Sequence, residues 1–147
     1  MGIPGTIDND LSYTDYTVGF DTAVNTVLWA INNLRDTFHS HDRVGLLEVM
    51  GRNCGDIALY AGVAGGAEYV LVPEVEYNLD KIASSIKKSY LRGKTSNMII
   101  LAEGAGNRDE IADYIVSNLL KKYGEGFEEI KTGLKLKSPK NSEKNQS

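Results

Sequence analysis

Three short apolar runs, each followed by a turn and a helix-like segment, constrain the fold more than any other feature of the sequence. The runs cover residues 44–50 (VGLLEVM), 69–72 (YVLV) and 98–102 (MIILA). Nearly continuous apolar runs of this length are typical of parallel strands that are buried on both sides. Because strands and helices alternate, the sequence predicts an α/β fold with a mostly parallel sheet and helices on both faces.

The helices have sequence signals of their own. Apolar residues recur at helical spacing from residue 20, which predicts an amphipathic helix that ends near Arg35, followed by a polar loop over 37–42. Asn78 is a residue type that commonly caps a helix start. The predicted helices cover 20–35, 57–63, 79–90 and 109–122.

Length and composition narrow the class of protein. A chain of 147 residues is long enough for one domain, which we assign to 1–124, while the Lys-, Ser- and Asn-rich segment 125–147 is expected to be a disordered tail. The net charge of -4 gives no general attraction to nucleic acid or to an anionic membrane. Cys54 is the single cysteine, so an internal disulfide is excluded and a cytoplasmic location is expected.

The loops after the predicted strands contain the first candidate site residues, since ligands bind at the carboxyl ends of parallel strands. The turn 51–55 (GRNCG) offers glycines and the cation of Arg52, which could bind a phosphate or simply be exposed in an ordinary turn. Glu103 could accept hydrogen bonds from sugar hydroxyls or be an exposed loop acid, and Glu74 has the same two interpretations. Arg43 could reach a neighbouring subunit or lie on the surface.

A second candidate is the polar segment 4–10 (PGTIDND), in which Asp8 and Asp10 follow a Pro-Gly turn. A solvated turn is the simpler interpretation. The sequence contains neither of the common glycine-rich nucleotide-binding motifs. His39 and His41 have no further ligand residues near them in the sequence, so no metal site is predicted there.

Segments 4–10 (PGTIDND), 14–20 (TDYTVGF), 48–52 (EVMGR) and 54–56 (CGD) together resemble the bacterial ATP-dependent 6-phosphofructokinase family. Segment 72–75 (VPEV) and Glu103 follow in the family's order, and the resemblance extends from Gly2 to about Tyr123. It implies phosphoryl transfer from ATP to the 1-hydroxyl of fructose 6-phosphate in glycolysis. It also implies ATP and Mg²⁺ as cofactors and a homotetramer as the assembly.

The resemblance also implies roles for individual residues. Asp8 would be the general base, Thr6 would contact the transferred phosphoryl group, and Arg52 would stabilise it. Asp10 would order the surroundings of magnesium without binding it directly. The implied substrate-binding residues are Thr6, Ile7, Asp8, Arg43, Met50, Gly51, Arg52 and Glu103, with Arg43 acting on an adjacent subunit. The implied effector site for ADP or phosphoenolpyruvate comprises Arg35, Gly66, Ala67, Glu68, Arg92 and Lys94.

Two points of the resemblance leave alternatives open. Gly5 favours ATP over pyrophosphate as the donor, because pyrophosphate-using relatives commonly have lysine at this position. The family's ATP loop and its later histidine segment do not occur in these 147 residues, so we expect an internal portion of the enzyme that is inactive alone. A non-catalytic module that binds a sugar phosphate or an effector, or a structural remnant, are the alternatives.

Overall fold

Three parallel strands form the centre of the computed structural model, which describes residues 2–41 and 43–123. The tail predicted over 125–147 lies outside this part of the chain. The elements follow one another as α1 (Phe20–Ser40), β1 (Val44–Val49), α2 (Asp56–Ala64), β2 (Tyr69–Leu71), α3 (Leu79–Leu91), β3 (Asn97–Ala102), a short 3₁₀ turn (Glu103–Ala105) and α4 (Arg108–Tyr123).

The strand order is β1-β3-β2, and both pairings are parallel. Val44 pairs with Asn97 at one end of β1, and Tyr69 of β2 pairs with Ile99. All six residues of β3 are buried, as expected for a central strand that is covered on both faces. The predicted parallel sheet is therefore confirmed.

Helices cover both faces of the sheet, as predicted. On one face, α1 and α2 pack against the side chains of Leu47, Val49, Met98, Ile100 and Ala102. On the other face, α3 and α4 pack against Leu46, Leu71, Ile99 and Leu101. The alternation of side chains along each strand supplies one apolar surface to each helical layer.

The prediction that α1 ends near Arg35 and that a polar loop covers 37–42 was wrong, since the helix continues to Ser40. Phe38 continues the apolar stripe and is only 3% exposed. Its ring packs directly over Gly45, where a Cβ atom would overlap it. The Phe38 carbonyl also accepts a hydrogen bond of 3.0 Å from the Arg43 amide, which ties the helix end to the start of β1.

The other helix boundaries agree with the sequence to within one or two residues. The Asn78 side chain accepts a hydrogen bond of 3.0 Å from the Lys81 amide, which confirms the predicted N-cap of α3. Among the helices of residues 2–41 and 43–123, none has the length and hydropathy that a membrane span requires.

Candidate active site

The segment 4–10 forms a loop that places a buried carboxylate beside the carboxyl end of the sheet. Asp8 is only 5% exposed, and its backbone amide donates a hydrogen bond of 3.2 Å to the Thr6 hydroxyl. The Oδ2 atom of Asp8 lies 3.3 Å from Nε of Arg52, which follows β1. Of the two sequence interpretations, the solvated turn therefore fails at Asp8, because this carboxylate is buried and paired with a cation.

Asn9 anchors this loop, a role that the sequence interpretation missed. Its backbone is left-handed, with φ at 57°. Its side-chain oxygen accepts a hydrogen bond of 3.1 Å from the Thr17 amide, and its side-chain nitrogen donates one of 2.7 Å to Asp56 at the start of α2. Asparagine tolerates the left-handed region better than most residues, and this preference is the one local signal for such a role.

The turn after β1 has an unusual backbone. The φ angles of Gly51 and Arg52 are 146° and 51°, so both lie in the region that favours glycine. The backbone amides of both residues donate to the same oxygen, Oε1 of Glu103, at 3.2 and 2.6 Å. Glu103 follows β3, the strand adjacent to β1, so parallel pairing brings these two strand ends together.

The resulting arrangement places a proton acceptor next to an anion-binding group. The Arg52 side chain is 77% exposed, whereas the Asp8 side chain that it contacts is 8% exposed. One edge of the guanidinium therefore faces the carboxylate, and the rest of it is accessible to an anion in solution. A guanidinium is well suited to hold phosphate oxygens through paired hydrogen bonds.

The amino-acid sequence matches one protein family over most of its length. The family model described as phosphofructokinase matches residues 1–135. The chain belongs to the phosphofructokinase family.

Individual relatives agree with this assignment. Two proteins named ATP-dependent 6-phosphofructokinase, from Clostridium botulinum (strain Hall) and Clostridium tetani, are each 64% identical to the chain over 115 residues. These matches cover 78% of this chain and 36% of the relative, so the chain spans about a third of the length of the curated relatives.

Solved structures show the same fold. Phosphofructokinase from Saccharomyces cerevisiae is 36% identical with a TM-score of 0.71, and the match covers 78% of this chain and 16% of that one. A pyrophosphate-dependent phosphofructokinase from Marinobacter aquaeolei is 28% identical with a TM-score of 0.66, covering 82% of this chain and 33% of that one.

Two further residues expected at the substrate site of this phosphofructokinase-family chain lie beside the Asp8–Arg52 pair. Ile7 and Met50 line an open, mainly apolar pocket of about 750 Å³ between α1 and the edge of β1. Met50 is half exposed, at 50%. Asp8 and Arg52 are not among its lining residues, so Ile7 and Met50 connect the pocket to the polar pair only through the chain.

Arg43 is not brought to this site. It precedes β1, whereas Arg52 and Glu103 follow the strands. Six strand residues separate the two ends of the sheet by about 20 Å. Within one chain, Arg43 therefore lies at the opposite end of the sheet from Asp8.

Glu74 and Cys54 have structural explanations. The Glu74 carboxylate accepts a hydrogen bond of 2.7 Å from the Gly55 amide and so caps the start of α2. Burial raises the pKa of the Cys54 thiol, and the nearby carboxylates of Asp56, Glu74 and Asp10 raise it further, against a backbone hydrogen bond that lowers it. The thiol is therefore a poor nucleophile at neutral pH.

Within residues 2–41 and 43–123, no group of three His, Cys, Asp or Glu side chains is arranged to hold a metal ion. The Asp10 carboxylate is exposed at the end of the Asp8 loop. Because Mg²⁺ is often bound through one or two carboxylates together with substrate phosphates, this finding concerns only a cluster made of protein side chains alone.

A second cavity, of about 340 Å³, lies at the amino ends of the strands. Four of the six residues implied for an effector site line it, namely Arg35, Gly66, Glu68 and Lys94, whereas Ala67 and Arg92 are not among its lining residues. The Arg35 guanidinium donates hydrogen bonds to the carbonyls of Gly65 and Gly66.

Glu68 organises this second cavity. Its Oε1 accepts from the Lys94 ammonium at 2.7 Å, and its Oε2 accepts from the Met98 amide at 2.6 Å. These contacts attach the segment before β3 to the segment before β2. The cavity thus combines the cations of Arg35 and Lys94 with the carboxylates of Asp36 and Glu68.

Proposed function

We propose that the chain carries the fructose 6-phosphate side of an ATP-dependent 6-phosphofructokinase site, with Asp8 as the general base. The observation that supports this most directly is the buried Asp8 carboxylate in contact with Arg52 at 3.3 Å. A proton acceptor for a sugar hydroxyl and a cation for phosphoryl oxygens are the groups that phosphoryl transfer requires on the acceptor side.

In this proposal each residue has a separate task. Asp8 accepts the proton of the 1-hydroxyl as its oxygen forms a bond to the γ-phosphorus of ATP. The bond from that phosphorus to the bridging oxygen breaks, ADP leaves, and Arg52 stabilises the charge on the transferred phosphoryl oxygens. Thr6 contacts the transferred group, while Glu103 accepts hydrogen bonds from the sugar. Met50, Gly51 and Ile7 form the wall on which the substrate rests. When bound, ATP and Mg²⁺ supply the phosphoryl group and its charge neutralisation.

ATP is the proposed donor. The curated relatives that are 64% identical are named ATP-dependent, whereas the pyrophosphate-dependent structure is 28% identical. A Cβ atom added at Gly5 would meet nothing within 4 Å apart from its chain neighbours, so a side chain can begin at this position without overlap. Overlap at Cβ therefore does not explain why glycine stands here in place of the lysine of pyrophosphate-using relatives.

We also propose that Arg43 completes the site of a neighbouring subunit in a homotetramer, because it lies too far from Asp8 of its own chain. The cavity at the amino ends of the strands would bind ADP or phosphoenolpyruvate through Arg35 and Lys94. Arg92 and Ala67 belong to this proposal only through their positions in the sequence. The proposed enzyme is cytoplasmic and glycolytic.

A thermal melt of the purified chain with fructose 6-phosphate tests the sugar-phosphate site. Ligand at about 100 times its dissociation constant should stabilise the folded state by roughly 2.7 kcal/mol. Fructose, which has no phosphate, is the matched ligand control and should have little effect. Asp8→Asn should keep the stabilisation, since the carboxylate serves transfer rather than binding, whereas Arg52→Ala should reduce it.

An equal response to fructose and fructose 6-phosphate would contradict the proposed site. A coupled assay for fructose 1,6-bisphosphate separates catalysis from binding alone. We expect no product from ATP with this chain by itself, since it covers 36% of the relatives' length. Product formation would overturn that expectation and exclude the non-catalytic module.

A further inference from the structure

The backbone of Arg52 is held in a conformation that it would not adopt without support. Its φ of 51° places a residue with a long side chain in the left-handed region. This region is disfavoured for an L-residue other than glycine, because Cβ comes too close to the following carbonyl oxygen. A contact elsewhere must therefore compensate for the cost.

Glu103 supplies that contact. Its Oε1 accepts from the Gly51 amide at 3.2 Å and from the Arg52 amide at 2.6 Å, so one carboxylate oxygen holds two successive peptide units. Hydrogen bonds to an ionised carboxylate are about twice as strong as bonds between neutral groups. Both bonds would have to break for the turn to leave this conformation.

Gly104, the residue after Glu103, contacts the same turn on the carbonyl side of Arg52. Gly104 lies directly against the Arg52 carbonyl, and a Cβ atom there would overlap that oxygen and lie 3.2 Å from the Asn53 Cα. The Glu103–Gly104 turn therefore touches the backbone of Arg52 on both its amide and its carbonyl side.

The Arg52 side chain has much less support than its backbone. It is 77% exposed, and among the described side chains its ion-pair partner is Asp8, at 3.3 Å. An exposed ion pair by itself holds a long side chain weakly, because the rotamer entropy opposes it. The direction of the guanidinium therefore depends on where the backbone places the Cα–Cβ bond.

We propose that Glu103 is a positioning residue for Arg52, which it directs toward Asp8 by holding the amides of Gly51 and Arg52. The inference rests on the proposed function, because it concerns the orientation of the Arg52 guanidinium, which is proposed to stabilise the transferred phosphoryl group. Oε2 of Glu103 takes no part in these two bonds, so it can still accept a hydrogen bond from the sugar. Glu103 would then connect sugar recognition to the placement of the cation.

Nuclear magnetic resonance on the isotope-labelled, ligand-free chain of 147 residues tests the proposal. Two quantities are measured, namely hydrogen exchange at the Gly51 and Arg52 amides and the carbon chemical shift of the Asp8 carboxylate. Arg52→Ala defines the change in the Asp8 signal when the cation is removed. Glu103→Ala should accelerate exchange at both amides by about tenfold or more. It should also reproduce at least half of the Arg52→Ala change at Asp8.

A conservative variant and a double variant separate a positioning role of Glu103 from a general effect on the structure. Glu103→Gln keeps an acceptor oxygen in place and should retain most of the protection and the Asp8 signal. In the Arg52→Ala background, Glu103→Ala should add nothing further to the Asp8 signal. Glu74→Ala is the matched control, since it should expose the Gly55 amide to exchange and leave the Asp8 signal unchanged.

The proposal is overturned if Glu103→Ala leaves the Asp8 signal unchanged, or if its effect adds fully to that of Arg52→Ala. If Glu103→Ala does not fold, Glu103→Asp replaces it, since a side chain one methylene shorter cannot keep both bonds at these distances. Adding fructose 6-phosphate to the unmodified chain tests the proposed function separately. If the spectrum of the unmodified chain does not change, fructose 6-phosphate is rejected as its ligand. The comparison of the ligand-free variants remains valid in that case.

Discussion

Both ends of the sheet place a carboxylate next to a cation, but the surroundings of the two pairs differ. At the carboxyl end, Glu103 holds two backbone amides and Arg52 contacts Asp8. At the amino end, Glu68 holds the Met98 amide and the Lys94 ammonium. Each end therefore combines a carboxylate that binds backbone with a cation that can attract an anion.

The difference lies in the burial of the carboxylate and in the backbone turn that carries the cation. At the carboxyl end the ion pair has a buried carboxylate, and the cation follows a left-handed turn that packs against glycine. At the amino end, the side chains of Lys94 and Glu68 are 53% and 25% exposed. The carboxyl end therefore has the more buried carboxylate and the more constrained backbone, which supports the transfer chemistry proposed there, whereas the amino end has the more accessible carboxylate.

The largest effect is expected at the amino end, where Phe38 supports the last turn of α1. Phe38→Ala should lower the free energy of unfolding by about 3–5 kcal/mol, because it leaves a cavity over Gly45. Urea denaturation measures the change, and Asn33→Ala on the exposed face of the same helix is the control. A loss below about 1 kcal/mol would show that the end of α1 contributes little to the amino-end cavity.

A glycine at each end tests whether the carboxyl end is the more rigid. Gly104→Ala should cost about 2–3 kcal/mol and displace the Arg52 turn, since its Cβ atom would overlap backbone atoms. Gly66→Ala should cost about 1 kcal/mol, since its φ is +66° and its nearest neighbour is the end of the Arg35 side chain, at 3.4 Å. Gly5→Ala is the control, because a Cβ atom at Gly5 would have nothing within 4 Å apart from its chain neighbours and should change the stability little. Equal costs at residues 104 and 66 would remove the distinction between the two ends.

The two partners of the amino-end ion pair should differ in importance. Glu68→Ala leaves the Met98 amide without its acceptor and should cost about 1–2 kcal/mol. Lys94→Met removes an exposed charge and should cost less than about 1 kcal/mol, with the effect decreasing at high salt. Denaturant melts at low and high salt measure both variants. A larger loss in Lys94→Met would mean that the ion pair, rather than the backbone contact, holds this end together.

The smallest effect concerns Cys54 near the carboxyl end. Because its pKa is raised in the folded chain, the thiol stays protonated at a pH where an unfolded cysteine begins to ionise. Its contribution to stability is therefore complete below the pKa of the unfolded cysteine and is lost as the pH rises through the folded value. Alkylation of Cys54 should be slower in the folded than in the urea-unfolded chain at pH 8, measured by mass spectrometry. Equal rates would indicate that the loop around Cys54 opens readily.

Most of the fold could be predicted because its signals are local. The apolar runs of β1 and β3, the cap at Asn78 and the alternation of strands and helices all follow from neighbouring residues. The end of α1 could not be predicted in this way. Thr37, His39 and Ser40 suggest a loop, and only the packing of Phe38 on Gly45 extends the helix past them.

The features of the site also fall into those that the sequence indicates and those that only the tertiary structure shows. The sequence by itself determined the parallel α/β architecture and the chemical groups, Asp8, Arg52 and Glu103, since these depend on periodicity and on short motifs. Only the tertiary structure decided that Asp8 is buried against Arg52, that Asn9 anchors its loop, and that Arg43 lies at the far end of the sheet. The contact between Asn9 and Asp56 joins residues that are 47 positions apart in the chain, so no local preference determines it.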